Sequence, residues 1–463
     1  MQSNYTLESH QEKASNEIVD NLSDKSGWIL KGEVGAGKTL TSLSVPVKMG
    51  YTRVVYVTLA SLPTPVEYYP DMNIIRLSYS KFRHGKNSSQ SKLKAARKLI
   101  SDYDIKEGDF FIWDECDAIR KMDSQRTQVA LAIRWLMKDS KMLFMTGTIR
   151  PTCNSNIIPY LGSCTGLHAR CDSLKQFYDS LEGIINQYAP KQYTPWISRH
   201  AYHRLSVNSK ELREKLSKYE TTLEKVRDNT ELGVTEEISW SYLTNDTKSY
   251  IKRLKNARNK TIKVNRRECV EYSLNNVLRI CDGHLQVKDL YTNKLRYVDQ
   301  EKCPKFDSFY GLLGKTAGKK VVLTRYRNSS KYIKDKLDGL GRHCVYYDAE
   351  LKESEKEEAI VEFKQSNKEA VLVSTVAALS TGFNLDDADT LIFYSVPFSY
   401  REVEQSLGRI DRKTSVNDKK FVWMCTDNTQ EQEAMQKVYD KVNESMEEWG
   451  FGRKPNSKPL KFT

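Results

Sequence analysis

No stretch of the 463-residue sequence approaches the roughly 18 to 20 uninterrupted apolar residues that a membrane-spanning helix needs. The opening Met1-Gln2-Ser3-Asn4-Tyr5 has neither the basic start nor the apolar core of a signal peptide. Both absences predict a soluble, intracellular protein without a membrane partner. The nine cysteines are odd in number and include no Cys-x-x-Cys pair, which excludes a disulfide framework and predicts reduced thiols. Low-complexity tracts and internal repeats are missing as well, so neither a linker-like chain nor a solenoid is expected.

What is present is enough for a real core. Hydrophobic residues make up 39% and include 26 Tyr, 14 Phe and 7 Trp, so folding can bury enough apolar surface to offset the lost chain entropy. At about 150 residues per domain the length predicts two to three domains. Lysine and arginine exceed aspartate and glutamate by 73 − 60 = 13. An excess of that size favours polyanions, because basic side chains that neutralise phosphates release condensed counterions.

Short apolar runs alternate with longer helix-like stretches in two blocks. The first block has runs at 27–30, 53–58, 73–77, 109–113 and 141–145; the second has them at 320–323, 343–347, 370–373, 390–396 and 421–425. Runs rich in Val, Ile, Phe and Tyr that are apolar on both faces indicate buried parallel strands covered by helices. The expected fold class is therefore α/β, with two parallel-sheet lobes at 1–206 and 304–445. Between them, 207–303 reads as a helical insertion, with long polar segments of helical spacing at 210–227 and 238–280. Its most basic part, 248–267, holds nine basic residues and no acidic one, with Lys248, Lys252, Lys255 and Arg266 close to one helix face. The basic tail 446–463 is expected to fray.

Two motifs carry chemistry. Gly32-Glu33-Val34-Gly35-Ala36-Gly37-Lys38-Thr39 fits G-x-x-x-x-G-K-T and stands between a strand-like run and a helical one. Glycines at 32, 35 and 37 let backbone N–H groups close around phosphate oxygens. Lys38 can reach the outer phosphates, and the Thr39 hydroxyl can ligate Mg2+. The second motif, Phe110-Phe111-Ile112-Trp113-Asp114-Glu115-Cys116-Asp117, is an apolar strand ending in carboxylates. There Asp114 can hold the magnesium shell and Glu115 can orient or deprotonate the attacking water. Nucleoside triphosphate hydrolysis is the expected chemistry.

These residues resemble those of superfamily 2 helicases. Asp114-Glu115-Cys116-Asp117 is similar to the family's Asp-Glu-x-Asp/His box, and Met145-Thr146-Gly147-Thr148-Ile149-Arg150-Pro151 to its third motif. The stretch from Ser374-Thr375 through Gly382-Phe383-Asn384-Leu385 resembles the fifth, and Glu404-Gln405-Ser406-Leu407-Gly408-Arg409-Ile410-Asp411-Arg412 the sixth. Within the superfamily, Val277-Leu278-Arg279-Ile280-Cys281 and Lys305-Phe306-Asp307 resemble segments of the Swi/Snf-type double-stranded DNA translocases. The likeness implies RecA-like lobes and an ATP site that Arg409 and Arg412 complete, with Gly382 and Gln405 beside the nucleotide. It also implies that Gln11 reads adenine, which favours ATP.

Carried over in the same way, Ser61, Ser78 and Tyr79 in the first block and Arg325, Ser374 and Thr375 in the second would grip a nucleic-acid backbone without reading bases. Lys252 and Lys255 would form a further basic clamp. The resemblance thus implies an ATP-driven motor on nucleic acid, with duplex DNA favoured and single-stranded DNA or RNA as alternatives, of the minimal kind a phage or virus carries. A protein partner is compatible with this reading. A strand-separating helicase is the alternative of the same class, and an ATP-dependent nucleic-acid-binding switch with vestigial hydrolysis is the alternative of another.

Overall fold

The computed structural model describes residues 5–32, 35–60, 64–85, 88–147, 157–188, 214–223, 233–366, 369–379, 384–397, 400–411, 415–449 and 460–462. The chain divides into two compact units, residues 1–226 and 227–463.

In the first unit, helix α1 (Ser9–Leu22) leads into β1 (Gly27–Gly32), α2 (Lys38–Lys48), β2 (Arg53–Thr58) and β3 (Asn73–Ser78). Then follow α3 (Ser89–Asp102), β4 (Phe110–Trp113), α4 (Gln125–Leu136), β5 (Met142–Thr146), α5 (Ile158–Cys164), α6 (Leu174–Tyr188) and β6 (Glu220–Leu223). The six strands form one sheet in the order β3-β2-β4-β5-β1-β6, every pair parallel. All of β1, β4 and β5 is buried, as expected of strands covered on both faces. Ile18, Leu22, Leu30, Leu43, Val54, Tyr56, Ile112 and Leu143 share one core between the helices and the sheet.

The second unit begins with β7 (Val234–Ser241), α7 (Asn245–Asn256), β8 (Thr261–Lys263), β9 (Glu268–Glu271), α8 (Leu274–Cys281), β10 (His284–Asp289) and β11 (Leu295–Asp299). It continues through α9 (Pro304–Lys315), β12 (Lys320–Thr324), α10 (Arg327–Gly339), β13 (Val345–Tyr347), α11 (Glu353–Gln365), β14 (Val371–Thr375) and the short α12 (Val376–Leu379). It closes with β15 (Thr390–Phe393), α13 (Tyr400–Ile410), β16 (Lys419–Thr426) and α14 (Gln430–Trp449). Its main sheet runs β13-β14-β12-β15-β16-β7, again all parallel. Apolar clusters fill both of its faces: Leu323, Leu372, Phe393 and Trp423 contribute to one, Val322, Val373, Ile392 and Val422 to the other.

The ten strands expected from the apolar runs are all present, and the α/β class with two parallel sheets holds. The segment 207–303 is not the helical insertion expected. Its β6 completes the first sheet and its β7 the second, while β8 to β11 form a separate four-stranded antiparallel sheet. Polar contacts explain why β6 joins an apolar sheet despite its composition. Lys31 reaches Glu220 at 2.6 Å, and Trp28 donates its indole N–H to Thr221 at 2.9 Å. The basic run is also interrupted. Helix α7 stops at Asn256, and Asn259 and Lys260 take left-handed backbone angles (φ 55° and 51°) that end any helix. Lys248, Lys252 and Lys255 therefore share α7, whereas Arg266 lies beyond it, between β8 and β9. Among the described residues, no helix is long and apolar enough to cross a membrane.

Candidate functional site

Parallel sheets bind ligands at the carboxyl ends of their strands. In the first unit that edge gathers the end of β1 with its phosphate-loop sequence, Thr58 at the end of β2, and Asp114-Glu115 after β4. Gly35 and Gly37 both have φ +87°, a left-handed conformation that a side chain strains. Gly37 is constrained twice, since a Cβ there would lie 2.1 Å from the Gln11 side-chain nitrogen. Gln11 is buried in the first turn of α1, where its oxygen accepts the Glu8 N–H at 3.0 Å. Its amide is thus packed against Gly37 of the phosphate-loop sequence. Gly32 has a different reason to be glycine: a Cβ there would meet the Leu223 carbonyl of β6 at 2.9 Å.

Lys38 opens α2, and its Nζ donates to the Gly32 carbonyl at 2.7 Å, closing the loop on itself. The Tyr56 hydroxyl donates to Asp114 Oδ2 at 3.0 Å. The same oxygen accepts Thr58 Oγ1 at 3.3 Å, and Asp114 Oδ1 accepts the Glu115 N–H at 2.9 Å. Desolvation, followed by the Glu115 charge, lifts the Asp114 pKa from its ordinary 3.8 to about 6, while the Tyr56 hydrogen bond and the Lys38 charge oppose the rise. Tyr56 is itself held well above its usual pKa, first by burial and then by Asp114, so it remains a donor.

Glu115 has φ 47° and ψ 48°, a left-handed conformation that costs a non-glycine residue about 1–2 kcal/mol. Two buried tyrosines hold the turn around it. Tyr79 donates to the Asp114 carbonyl at 2.9 Å, and Tyr160 to the Cys116 carbonyl at 2.8 Å. Strain of this kind persists only where the surroundings over-determine it. Thr39 and Asp114 supply hard oxygen donors, the ligand type magnesium takes. Thr39 at the start of α2 and Asp114 after β4 belong to the same unit, and the chemistry of this donor set fits the ion.

Several expected polymer contacts are internal instead. Tyr79 is 1% exposed and serves the acidic turn, so it offers no side-chain surface to a polymer. Ser78 caps the following turn by accepting the Ser80 N–H at 3.3 Å. Ser374 is fully buried and bonds the Thr375 carbonyl, while Thr375 caps α12 by accepting the Ala378 N–H at 3.2 Å. These hydroxyls shape the strand ends and do not project from them. Ser61, Gly382 and Arg412 lie outside the described residues.

Gln405 and Arg409 are partly buried and one turn apart on α13, hence on one face. Arg325, at the carboxyl end of β12, donates to Asn275 Oδ1 at 3.3 Å. Lys252 and Lys255 are exposed and, with Lys248 and Lys437, line a groove of about 900 Å3 between α7 and α14, floored by Leu243, Ile251 and Val277. Sequence reasoning missed Tyr56 and Tyr160. The one available signal was a tyrosine inside the otherwise aliphatic run of β2.

Residues 304–414 match the family model described as the helicase conserved C-terminal domain. With the phosphate loop, that match supports a superfamily 2 helicase-like ATPase. The matched residues run from the start of α9 past the stretch Gln405 to Arg412. A Bacillus subtilis (strain 168) protein described as the uncharacterized ATP-dependent helicase YqhH is 28% identical over 132 residues, 28% of this chain. The match spans 23% of that relative's length. A solved structure described as the Sulfolobus solfataricus SWI2/SNF2 ATPase core in complex with dsDNA aligns at 14% identity over 96% of this chain and 92% of that one, with a TM-score of 0.35.

The Gln11 contact makes a sharp prediction about the phosphate-loop sequence. Gly37→Ala adds left-handed strain of about 1–2 kcal/mol and drives Gln11 from its seat. Nucleotide affinity, titrated with a fluorescent ATP analogue, is expected to fall roughly tenfold. Adding Gln11→Ala removes the clash and not the strain, so only part of the loss returns. Undiminished binding by Gly37→Ala would mean that this loop does not hold the nucleotide.

Proposed function

We propose that the protein is an ATP-driven nucleic-acid motor that translocates along duplex DNA. The observation that carries the reading is that Asp114 and Glu115 follow β4 at the same sheet edge as the phosphate-binding loop that follows β1, near enough for the Lys38 charge to act on Asp114. Lys38 and the loop N–H groups bind the phosphates, Thr39 and Asp114 hold magnesium, and Glu115 orients or deprotonates the attacking water. Bound magnesium supplies Lewis-acid stabilisation of the phosphoryl charge. Arg409 and Arg412 stabilise the charge that develops on the transferring group, and Gln405 and Gly382 accompany them. Gln11 reads adenine from its seat against Gly37. Lys252, Lys255 and Arg325 contact the polymer backbone. The residue excess of basic charge supports a polyanion track, and the Swi/Snf-like segments around Arg279 and Lys305 support a duplex.

Strand separation is the second reading, favoured by the helicase description of the Bacillus relative. ATPase stimulation separates the two from each other and from a vestigial switch. Duplex DNA, single-stranded DNA and RNA are added in turn, and triplex displacement is followed beside duplex unwinding. A translocase shows stimulation by duplex and displaces the triplex strand without unwinding. Stimulation by single strands together with unwinding would replace this reading with the helicase, and absence of any nucleic-acid-dependent turnover would end the motor assignment.

A further inference from the structure

Helix α8 buries Val277, Leu278, Ile280 and Cys281 and turns Asn275 and Arg279 to its other side, one turn apart. The Arg279 guanidinium lies between two aromatic rings, with its carbon 3.7 Å from the Tyr326 centroid and 4.8 Å from that of Tyr297. Its Nε is buried without a hydrogen-bond partner, and among the described residues no carboxylate pairs with it. A second guanidinium shares the same ring. Arg325 sits 5.5 Å from the Tyr326 centroid, and both its Nη2 and the Tyr326 hydroxyl donate to Asn275 Oδ1, at 3.3 and 3.1 Å.

We propose that Arg279, Arg325 and Asn275 form a phosphodiester-binding site on the second unit, with Tyr297 and Tyr326 as its stacking walls. The proposal rests on the nucleic-acid reading above and adds Asn275, Arg279, Tyr297 and Tyr326 to the backbone contact that reading gives Arg325. Two like charges gathered around one ring repel each other, and an anion placed between them reverses that cost. Stacking fixes the guanidinium plane beforehand, so a phosphate meets oriented donors and little side-chain entropy is lost on binding. The planar fork suits two phosphate oxygens. The location is also where ligands meet parallel sheets, because Arg325 and Tyr326 directly follow the carboxyl end of β12. A cation in the last turn of α8 would complement the helix dipole, yet that role needs neither an aromatic sandwich nor a second arginine.

Binding of fluorescein-labelled duplex DNA and oligo-dT to the full chain, measured across a range of KCl concentrations, tests the site. For Arg279→Gln the slope of log affinity against log salt is expected to shrink by about 0.9 on the duplex or 0.7 on the single strand, with affinity down several-fold. Arg279→Lys restores the slope without restoring the affinity, because a lysine keeps the charge and loses the stack. Tyr297→Leu keeps both arginines, so it weakens binding at an unchanged slope and serves if Arg279→Gln misfolds. An unchanged slope for Arg279→Gln, with only a lower melting temperature, would make Arg279 packing and overturn the site. Failure of the wild-type chain to bind either probe would remove the nucleic-acid reading itself, and the site with it.

Discussion

Lys38→Ala is expected to lower ATP turnover at least a hundredfold, the scale on which removing one preorganised charge from a reacting oxyanion acts. The side chain spans the loop opening, with Nζ on the Gly32 carbonyl, and retains partial exposure. The melting temperature should therefore move little while turnover collapses. Lys38 also lowers the Asp114 pKa by its charge, so its loss leaves that buried carboxyl still harder to ionise. Glu115→Gln separates binding from chemistry. The amide preserves size and the left-handed turn but cannot take a proton from water, so nucleotide binding survives while turnover falls by about 10²–10⁴. A Lys38→Ala protein that hydrolyses ATP at the normal rate would refute the site outright.

The parts of this site that were legible in the sequence were those where chemistry and local geometry coincide. A glycine-rich turn between a strand and a helix, and carboxylates at a buried strand end, are short-range patterns. The ten central strands were visible for a related reason, since strands covered on both faces read as unbroken apolar runs. The strands β6 and β7 were hidden because they lie at the sheet edges and carry Glu220, Thr221, Glu236 and Glu237, a composition that a helix tolerates equally well. Lys31 and Trp28 on β1 provide the polar partners that admit β6, and no pattern within 220–223 announces them.

The polar residues divided along a similar line. Tyr79 and Ser374 sit in motifs whose likeness suggests contact with a polymer, but each spends its hydroxyl on a nearby carbonyl, and both are buried. A hydroxyl can serve a strand end by holding its turn as well as by touching a ligand, and sequence distance alone does not separate the two roles. Tyr56 is the converse case. It lies mid-strand in β2, where an aromatic is ordinary core, and only its register beside β4 brings its hydroxyl to Asp114.

The largest effect on stability is expected at Lys305, which no catalytic reading requires. Its ammonium is 1% exposed and bonds Asp282 Oδ1 at 3.2 Å and Glu431 Oε1. The remaining acceptors are also occupied. Asp282 Oδ2 receives Ser329 and Ser395, and Glu431 Oε2 receives the Thr426 N–H. Burial alone would depress the Lys305 pKa, but the Glu431 and Asp282 charges outweigh it and hold the ammonium above its ordinary value. The triad ties the end of α8, the start of α9 and the first turn of α14, three segments distant in sequence, beneath Tyr394. Lys305→Met leaves two carboxylates facing each other without a cation, and a loss of about 3–5 kcal/mol is expected in thermal or urea denaturation. The sign of its pH dependence identifies the cause. Burial already raises the Glu431 pKa, and the Lys305 charge that opposes this is gone in the variant, so stability is regained in acid and lost as pH rises from the ordinary glutamate value through the raised folded one. Replacing the whole triad, with Asp282→Asn and Glu431→Gln added to Lys305→Met, removes the stranded charge and should recover most of the loss at neutral pH. A Lys305→Met protein as stable as wild type across the pH range would show that these charges do not hold the three segments together.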